Sequence, residues 1–497
     1  MCGIVGAVSE RDISKILLEG LRRLEYRGYD SAGIAVISSD NHLKRVRIQG
    51  KVQSLADAMQ ETAITGTTGV AHTRWATHGK PSELNAHPHT SHNEIAVVHN
   101  GIIENHDALR ASLLEKGYEF TSETDTEVAA HLIYDYYIQL ENLLQAVQAA
   151  AKEMHGAFAL GVIHQQRPLE LVAIRKGSPL VVGLGIGENF IASDALALRA
   201  FAQSVIYLEE GDSLSITAHQ LHIYNALGAE VQRPSSPLNE DAEVVSRGPY
   251  RHFMLKEIFE QSRVMSDTLE GRINSLEVLK ASFGDTAHHI FPKVKHIHII
   301  ACGTSFYAGQ IGKYLIENLA QIPVETDIAS EFRYRQPIIP KNSLVLTISQ
   351  SGETADTLAA IRLAKEKGAL TLSLCNVKNS SIDREAHGHL YMNAGPEIGV
   401  ASTKAFTTTL VVLNLLAITF GKVKNLIAED QELTLVQELL SIPSKMEVVL
   451  SYDKYFQTAA ENLKKFKGFL FMGRGVSYPI AMEGALKLKE LAYLHAE

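Results

Sequence analysis

HIHIIACGTSFYAGQIGKYLIENL, residues 296–319, contains a strand, a tight polar loop and a helix in that order. The apolar run at 296–301 predicts the strand, and CGTS at 302–305 predicts the loop. One face of the following helix is marked by residues at helical spacing: Tyr307, Ile311, Tyr314 and Leu315. This stretch therefore predicts a strand–loop–helix unit typical of an α/β fold.

A second unit of the same kind follows. Residues 344–348 predict a strand, SQSGET at 349–354 a loop, and the helix after it runs through Leu358 and ends near Gly368. A third strand is predicted at 371–374. This alternation predicts an α/β doubly wound parallel sheet, in which the loops after the strands bind ligands.

The strand–loop–helix stretch at 296–319 has a weak repeat later in the sequence. FLFMGRGVSYPIAMEGALKLKEL, near residue 470, resembles the sequence around residue 300, with Gly473 in the position of Gly303. A second α/β module therefore begins within 460–497, with one strand and one helix present. Because such a stub cannot bury a parallel sheet, we expect the sequence to be C-terminally truncated.

The first part of the chain, 2–235, mixes short strands with amphipathic helices and predicts an α+β domain. One helical face is formed by Ile13, Ile16, Leu17, Leu21 and Leu24. Strands are predicted at 32–37, 94–98, 158–163 and 169–174. A segment rich in Pro, Ser and acidic residues predicts a linker over 236–249, ahead of the α/β domain at 250–425.

Composition limits the classes of function. The 497 residues are 45% hydrophobic and 21% charged, and the net charge of -9 is spread along the chain without a Lys/Arg-rich run. We therefore expect no nucleic-acid and no membrane partner. Three cysteines and no signal-peptide pattern indicate the cytoplasm. The most apolar run, 410–420, is too short to span a bilayer.

Cys2 directly follows the initiator Met1. Removal of Met1 would leave Cys2 with a thiol and a free α-amino group, whose unperturbed pKa values are about 8.5 and 7.7–8.0. The amine can then act as the base for the thiol. On residue identity alone, a chance cysteine at position 2 is the favoured interpretation.

Six motifs around Cys2 change that balance. They are CGIVG at 2–6, LEYRGYDSAG at 24–33, HTRWATHG at 72–79, NAHPH at 85–89, HNGIIEN at 99–105 and SETDTE at 122–127. In order and spacing they resemble the class II glutamine amidotransferases, which use an N-terminal nucleophile. The resemblance implies an αββα sandwich over residues 2–235.

The resemblance also implies roles for individual residues. Cys2 would attack the glutamine amide, and Asn100 with the N–H of Gly101, after the predicted 94–98 strand, would form the oxyanion hole. Arg74 would bind the glutamine carboxylate and Asp125 its ammonium group. The remaining implied positions are Thr77 and His87 for glutamine and Trp75, the only tryptophan, for an ammonia channel.

The histidine-rich segments allow a metal-site interpretation as well. The histidines in question are His72, His78, His87, His89 and His92. They have neither HExxH spacing nor a cysteine pair, so we predict no metal and assign them structural hydrogen bonds around the glutamine pocket.

In the second half, CGTS and SQSGET each precede a helix, where backbone N–H groups and hydroxyls suit a phosphate. Together with EIGVASTKAFT at 397–407 and GALKLKE at 484–490, they resemble sugar isomerase (SIS) domains. The resemblance assigns the phosphate to Ser305, Ser349, Gln350, Ser351 and Thr354. It assigns the sugar to Thr304, Val400 and Ser402. In this resemblance Glu490 would be the base that moves a proton between C2 and C1 of the sugar, and Lys487 would stabilise the charge that develops nearby. The alternative interpretation is that Lys487 and Glu490 form a solvated ion pair.

The two resemblances together imply an enzyme that aminates and isomerises a sugar phosphate, with L-glutamine and D-fructose 6-phosphate as substrates. No cofactor is expected, and a homodimer is. The family's ring-opening histidine and Schiff-base lysine are expected beyond Glu497. Two alternatives stay open: a fragment active only as a glutaminase, and a regulatory protein that senses a sugar phosphate.

Overall fold

The chain divides into two compact units, Met1–Glu243 and Val244–Glu497. The computed structural model describes residues 2–25, 28, 30–62, 64–74, 80–238, 247–284 and 289–497. The central part of the predicted linker, residues 239–246, lies outside the described residues.

Within its described residues, the first unit contains two antiparallel sheets. Sheet one has the order β15-β11-β9-β10-β1-β4-β2-β3. Its strands are β1 (Gly3–Ser9), β2 (Ser31–Ile37), β3 (Leu43–Gln49), β4 (Thr68–Arg74), β9 (Val181–Leu184), β10 (Glu188–Ala192), β11 (Ser204–Tyr207) and β15 (Ser235–Pro237). Sheet two has the order β14-β13-β12-β8-β7-β6-β5. Its strands are β5 (His89–Ser91), β6 (Ile95–Ile103), β7 (Gly156–His164), β8 (Leu171–Lys176), β12 (Ser213–Ile216), β13 (Leu221–Tyr224) and β14 (Glu230–Val231).

Helices cover the outer faces of both sheets. They are α1 (Ser14–Leu24), α2 (Val52–Thr62), α3 (His106–Glu115), α4 (Asp125–Leu140) and α5 (Leu143–Glu153). Helices α1 and α2 bury apolar side chains against sheet one, and α3, α4 and α5 bury theirs against sheet two. Between the sheets, Ile4 and Val70 pack with Val98 and Leu171. The predicted αββα sandwich is therefore confirmed.

The second unit is built on a parallel sheet of order β17-β16-β18-β19-β20. Its strands are β16 (His296–Ala301), β17 (Val324–Ile328), β18 (Ser343–Ser349), β19 (Leu370–Cys375) and β20 (Gly388–Tyr391). The helices are α6 (Phe253–Leu269), α7 (Gly303–Ala320), α8 (Ala329–Tyr334), α9 (Ala355–Glu366), α10 (Ser381–Glu385), α11 (Lys404–Val423), α12 (Glu429–Leu450), α13 (Asp453–Leu463) and α14 (Ser477–Ala492).

Both faces of this sheet are buried under helices. On one face, Ile299 and Leu346 pack in the same core as Leu413 of α11. On the other, Ile300 and Val345 pack with Phe332 of α8. The predicted doubly wound fold is confirmed. Helix α11 is by length and composition apolar enough to cross a membrane, but it is mostly buried in this core.

Two local predictions were wrong. CGTS is not a loop before the helix, because α7 already begins at Gly303 and Cys302 is its N-cap residue. The second module contains more than one strand, since β21 (Gly468–Phe469) pairs in parallel with β22 (His495–Ala496), on either side of α14 in the chain. Polarity misplaced the first boundary because the first turn of a helix can be polar.

Candidate active sites

Cys2 and Arg74 lie at the same end of sheet one. Strand β1 begins at Gly3, directly after Cys2, and pairs antiparallel with β4, so that Gly3 is opposite Thr73. Arg74 follows Thr73 as the last residue of β4 and is buried. Antiparallel pairing thus brings a thiol and a guanidinium to one sheet end, although 71 residues lie between them in the sequence.

Asn100 reaches Cys2 from the other sheet. Its Nδ2 donates to the main-chain carbonyl of Cys2 at 3.1 Å. The predicted end of this strand at residue 98 was wrong, because β6 continues to Ile103 and Asn100 lies within it, only 8% exposed. The packing of the two sheets therefore puts a buried amide donor beside the residue that carries the thiol.

Gly101 has a backbone conformation that requires glycine. Its φ is 127°, and a Cβ at this position would lie 2.0 Å from the main-chain oxygen of Ala157 in β7. A side chain here would have to displace the neighbouring strand. The Asn-Gly pair thus combines an amide donor with a constrained peptide next to it.

Asp125 is the first residue of α4, and the residue is only 5% exposed. Its Oδ2 accepts from the N–H of Ile103 at 2.9 Å, and its Oδ1 lies 3.8 Å from Nδ1 of His99. The loop before α4 is held by Glu127, which accepts from the N–H groups and hydroxyls of Thr121 and Ser122. Burial alone would raise the pKa of Glu127, but these hydrogen bonds lower it.

A cluster of buried histidines supports this region. His87 stacks on His72 with ring centroids 4.1 Å apart, and His89 lies edge-on at 5.1 Å. Nε2 of His87 lies 3.2 Å from Oγ1 of Thr126, and Nε2 of His89 lies 3.0 Å from Oγ1 of Thr124. Burial is the main cause that lowers the pKa of His72 to about 3 and the pKa values of His87 and His89 well below their usual range.

The histidines are therefore neutral hydrogen-bonding groups. In the part of the chain that the structure describes, no group of three or more His, Cys, Asp or Glu residues could hold a metal ion. Two predicted positions, Trp75 and Thr77, and the predicted structural role of His78 lie outside the described residues.

In the second unit, the chain direction across the sheet reverses between β16 and β18. Helix α7 starts just after β16 and α9 just after β18, so Thr304, Ser305 and the 349–354 loop are at the same edge of the sheet. In doubly wound folds, ligands bind in the crevice at this reversal. The two predicted phosphate segments are thus brought together.

The hydroxyls of the 349–354 loop already form hydrogen bonds within it. Oγ of Ser349 accepts from the N–H of Gly352 and lies 3.1 Å from Oγ1 of Thr354. Oγ of Ser351 accepts from the N–H of Glu353, and the carbonyl of Gln350 accepts from Asn376. These bonds give the loop a defined shape before any ligand is bound.

Two carboxylates that the sequence did not single out hold the segment with Val400 and Ser402. Glu257 of α6 accepts from the N–H groups of Ile398, at 2.5 Å, and Gly399, at 3.1 Å. Glu397 accepts from the hydroxyl of Ser402 at 2.8 Å and also from the N–H groups of Thr403 and Ala405. Val400, between these anchors, is 63% exposed.

Lys487 and Glu490 on α14 form the predicted pair, with 2.7 Å between Nζ and Oε2. Nζ also donates to Oγ1 of Thr304 at 2.8 Å and lies 3.3 Å from Glu483. Thr304 in turn donates to Glu483 at 3.0 Å. Burial is the main cause that raises the pKa of Glu483.

Glu483 was missed by the sequence analysis, although its position four residues before Lys487 puts both on one helical face. No comparable signal identified Glu257, since it lies 141 residues before Ile398. The contact between Lys487 and Thr304 was not predicted either, since the two residues are 183 positions apart.

Two family models match the chain: a glutamine amidotransferase domain over residues 72–200 and a SIS domain over residues 290–419. The chain is 64% identical over its whole length to the isomerizing glutamine–fructose-6-phosphate aminotransferase of Legionella pneumophila (strain Paris), covering 82% of that protein. It is 53% identical to the enzyme of the same name from Pseudomonas putida (strain KT2440), also covering 82%.

Among solved structures, the C-terminal domain of glucosamine-fructose-6-phosphate aminotransferase from Francisella tularensis is similar. The identity is 44% with a TM-score of 0.50, and the match covers 51% of this chain and 71% of that one.

Proposed function

Because the chain belongs to the family of isomerizing glutamine–fructose-6-phosphate aminotransferases, we propose that it transfers the amide nitrogen of L-glutamine to D-fructose 6-phosphate. The products are L-glutamate and D-glucosamine 6-phosphate. The observation that carries the glutamine half is the 3.1 Å hydrogen bond that joins the amide of Asn100 to Cys2.

In the first half-reaction, the thiolate of Cys2 attacks the amide carbon of glutamine, and the carbonyl oxygen becomes an oxyanion. Nδ2 of Asn100 and the N–H of Gly101 stabilise this charge. The C–N bond then breaks, and the α-amino group of Cys2 returns the thiol's proton to the departing ammonia. Water hydrolyses the thioester and releases glutamate.

Glutamine is recognised by its charged end. We assign its carboxylate to Arg74, whose planar guanidinium suits bidentate binding, and its ammonium group to Asp125. The burial of both side chains supports this assignment, because charges attract more strongly away from water. His87 shapes the pocket as a neutral group.

In the second half-reaction, the ammonia released at Cys2 adds to the C2 carbonyl of the sugar phosphate bound in the second unit, and the carbonyl oxygen leaves as water. We assign the phosphate to Ser305 and the 349–354 loop, at the N-termini of α7 and α9. Glu490 moves a proton between C2 and C1, while Lys487 stabilises the charge that develops on the sugar. The contact of Lys487 with Thr304 supports this assignment, since it joins α14 to the phosphate end of the sheet.

We also propose a homodimer in the cytoplasm. The resemblance to SIS domains supports the homodimer. The free thiols of Cys302 and Cys375 support the cytoplasm, because a reducing compartment keeps cysteines unpaired. Light scattering on the purified chain should give about twice the monomer mass of 54.5 kDa; the monomer mass would contradict the dimer.

The test of function uses Cys2→Ala, with Cys302→Ala as the matched control. Glutamate release from glutamine should vanish in the first variant and persist in the second. Formation of glucosamine 6-phosphate from fructose 6-phosphate then tests the sugar half separately. Glutamate release without amino-sugar formation would leave a glutaminase, and glutamate release by Cys2→Ala would refute the nucleophile. Met1 retained on active protein, seen by mass spectrometry, would refute the α-amine as base.

A further inference from the structure

His72 connects the interior of sheet one to the oxyanion donor. It lies in β4, opposite Ile4 of β1 and Gly33 of β2, and it is fully buried. Its Nε2 lies 3.0 Å from Oδ1 of Asn100. The same amide donates through Nδ2 to the carbonyl of Cys2 at 3.1 Å. Three residues from three strands or strand ends thus form one hydrogen-bonded chain.

The chemistry of these atoms sets the direction of every bond in the chain. The carbonyl of Cys2 can only accept, so the amide atom that faces it must be the nitrogen of Asn100. The other amide atom is then the oxygen, which also only accepts. His72 must therefore carry its proton on Nε2 and donate.

The surroundings keep His72 neutral and hold its ring plane. Burial is the main cause that lowers its pKa to about 3, so the ring is neutral near pH 7 and has a single proton to place. The ring of His87 stacks on it with an interplanar angle of 15°, which restricts rotation of the ring plane.

We propose that His72 is a positioning residue that locks the amide of Asn100 with its N–H groups toward the reacting carbonyl. If the amide flipped, its oxygen would face the carbonyl of Cys2 and the developing oxyanion, and both contacts would be repulsive. In the flipped state the Nε2–H of His72 would face an NH2 group, so the ring would have to move its proton to Nδ1 before it could accept from Asn100. This inference rests on the proposed glutaminase function.

A pair of variants that differ by one methylene tests the donor. His72→Gln carries an amide N–H at the reach of Nε2, whereas the shorter amide of His72→Asn cannot reach Asn100. We expect His72→Asn to lower kcat for glutamate release by about 100-fold, the size seen when one oxyanion donor is lost. His72→Gln should retain kcat within about 10-fold of wild type, and KM for glutamine should change little in both.

His164→Gln is the matched control, since His164 is another fully buried histidine of the same unit, and its ring packs at a tilt against that of Tyr137. It should keep wild-type kcat. Thermal unfolding and the inhibition constant of L-glutamate report whether each variant is folded and binds the charged end of the substrate.

A double-mutant cycle with Asn100→Ala shows whether His72 acts through Asn100. We expect His72→Asn to have no further effect on kcat once Asn100 is alanine. A second readout is glutamate γ-semialdehyde, which forms a tetrahedral adduct with a thiol. Its affinity should fall with kcat while that of L-glutamate stays constant.

Three results would overturn the inference: equal kcat in His72→Gln and His72→Asn, an undiminished effect of His72→Asn in the Asn100→Ala background, or a parallel loss of aldehyde and glutamate affinity. Full glutamate release by Cys2→Ala would overturn both the inference and the proposed function. If Cys2→Ala loses glutamate release but His72→Asn keeps the wild-type kcat, the inference alone would be overturned.

Discussion

The carboxylate of Asp125 accepts a hydrogen bond from the main-chain N–H of Ile103, with 2.9 Å between Oδ2 and the nitrogen. Asp125 begins helix α4, and Ile103 ends strand β6. The bond has a charged acceptor and is therefore stronger than a neutral one. It ties the proposed ammonium-binding carboxylate to the strand that carries Asn100 and Gly101, so the two halves of the glutamine pocket depend on each other.

Gly101→Ala should damage this pocket. The new Cβ would meet the main-chain oxygen of Ala157, and the positive φ adds backbone strain. We expect a stability loss of about 2 kcal/mol or more and at least a 10-fold lower kcat for glutamate release. Gly117→Ala is the control, because Gly117 also has positive φ but nothing lies within 4 Å of its added Cβ. Equal losses of kcat in both variants would contradict the prediction.

Glu127→Gln should destabilise the first unit in a pH-dependent way. The pKa of Glu127 is lowered in the fold, so its carboxylate stabilises the protein above its ordinary pKa of about 4.3. We expect a loss of about 1–3 kcal/mol at pH 7. This difference should shrink as the pH falls through the lowered pKa.

Urea unfolding followed by circular dichroism measures this difference at each pH. The exposed Glu115 provides the control, since Glu115→Gln should change stability by less than about 0.5 kcal/mol. A difference between wild type and Glu127→Gln that stays constant down to pH 3 would argue against the carboxylate's role.

Glu257→Ala should weaken binding in the second unit only. It leaves the N–H groups of Ile398 and Gly399 without their carboxylate, which loosens the segment assigned to the sugar. We expect about 10-fold weaker binding of fructose 6-phosphate by calorimetry, a cost of about 1.4 kcal/mol. Glutamate release should not change. Asp267→Ala, at a partly exposed site on the same helix, should bind like wild type. Unchanged affinity in Glu257→Ala would refute the anchoring role.

Substitution of Glu260 should cost more stability than substitution of Lys404, its partner in a buried ion pair. Nζ of Lys404, whose side chain is 3% exposed, lies 2.7 Å from Oε2 of Glu260. Glu260 also has Lys256 at 3.4 Å and Arg263 at 3.6 Å. Glu260→Gln removes the carboxylate that pairs with a buried ammonium and should cost about 3–5 kcal/mol.

Lys404→Met should cost less, because Glu260 keeps its other two cations. The double variant should lose less stability than the sum of the single variants, since the two groups interact directly. Urea unfolding followed by circular dichroism measures all three. A larger loss for Lys404→Met than for Glu260→Gln would contradict this order.

Much of the fold could be predicted from local pattern. Residues 296–301 form the predicted strand, and the alternation after them produces the doubly wound sheet. Besides the unpredicted strand β22, the errors occurred at element ends. Helix α7 starts at Gly303 within a polar motif, and β6 extends past its apolar core to Ile103. Local polarity does not mark such boundaries, because hydrogen bonds and packing from distant residues decide where an element stops.

By itself, the sequence determined the chemical groups and their order: a thiol at position 2 that can share a residue with a free α-amine, the amidotransferase motifs, and two strand–turn–helix segments that suit a phosphate. The tertiary structure alone decided which groups meet. His72 and Asn100 are 28 residues apart, Asn100 and Cys2 are 98 apart, and Lys487 and Thr304 are 183 apart. Contacts over such separations are set by how sheets and helices pack, and that packing depends on the whole buried surface of a unit and not on the residues of any one motif.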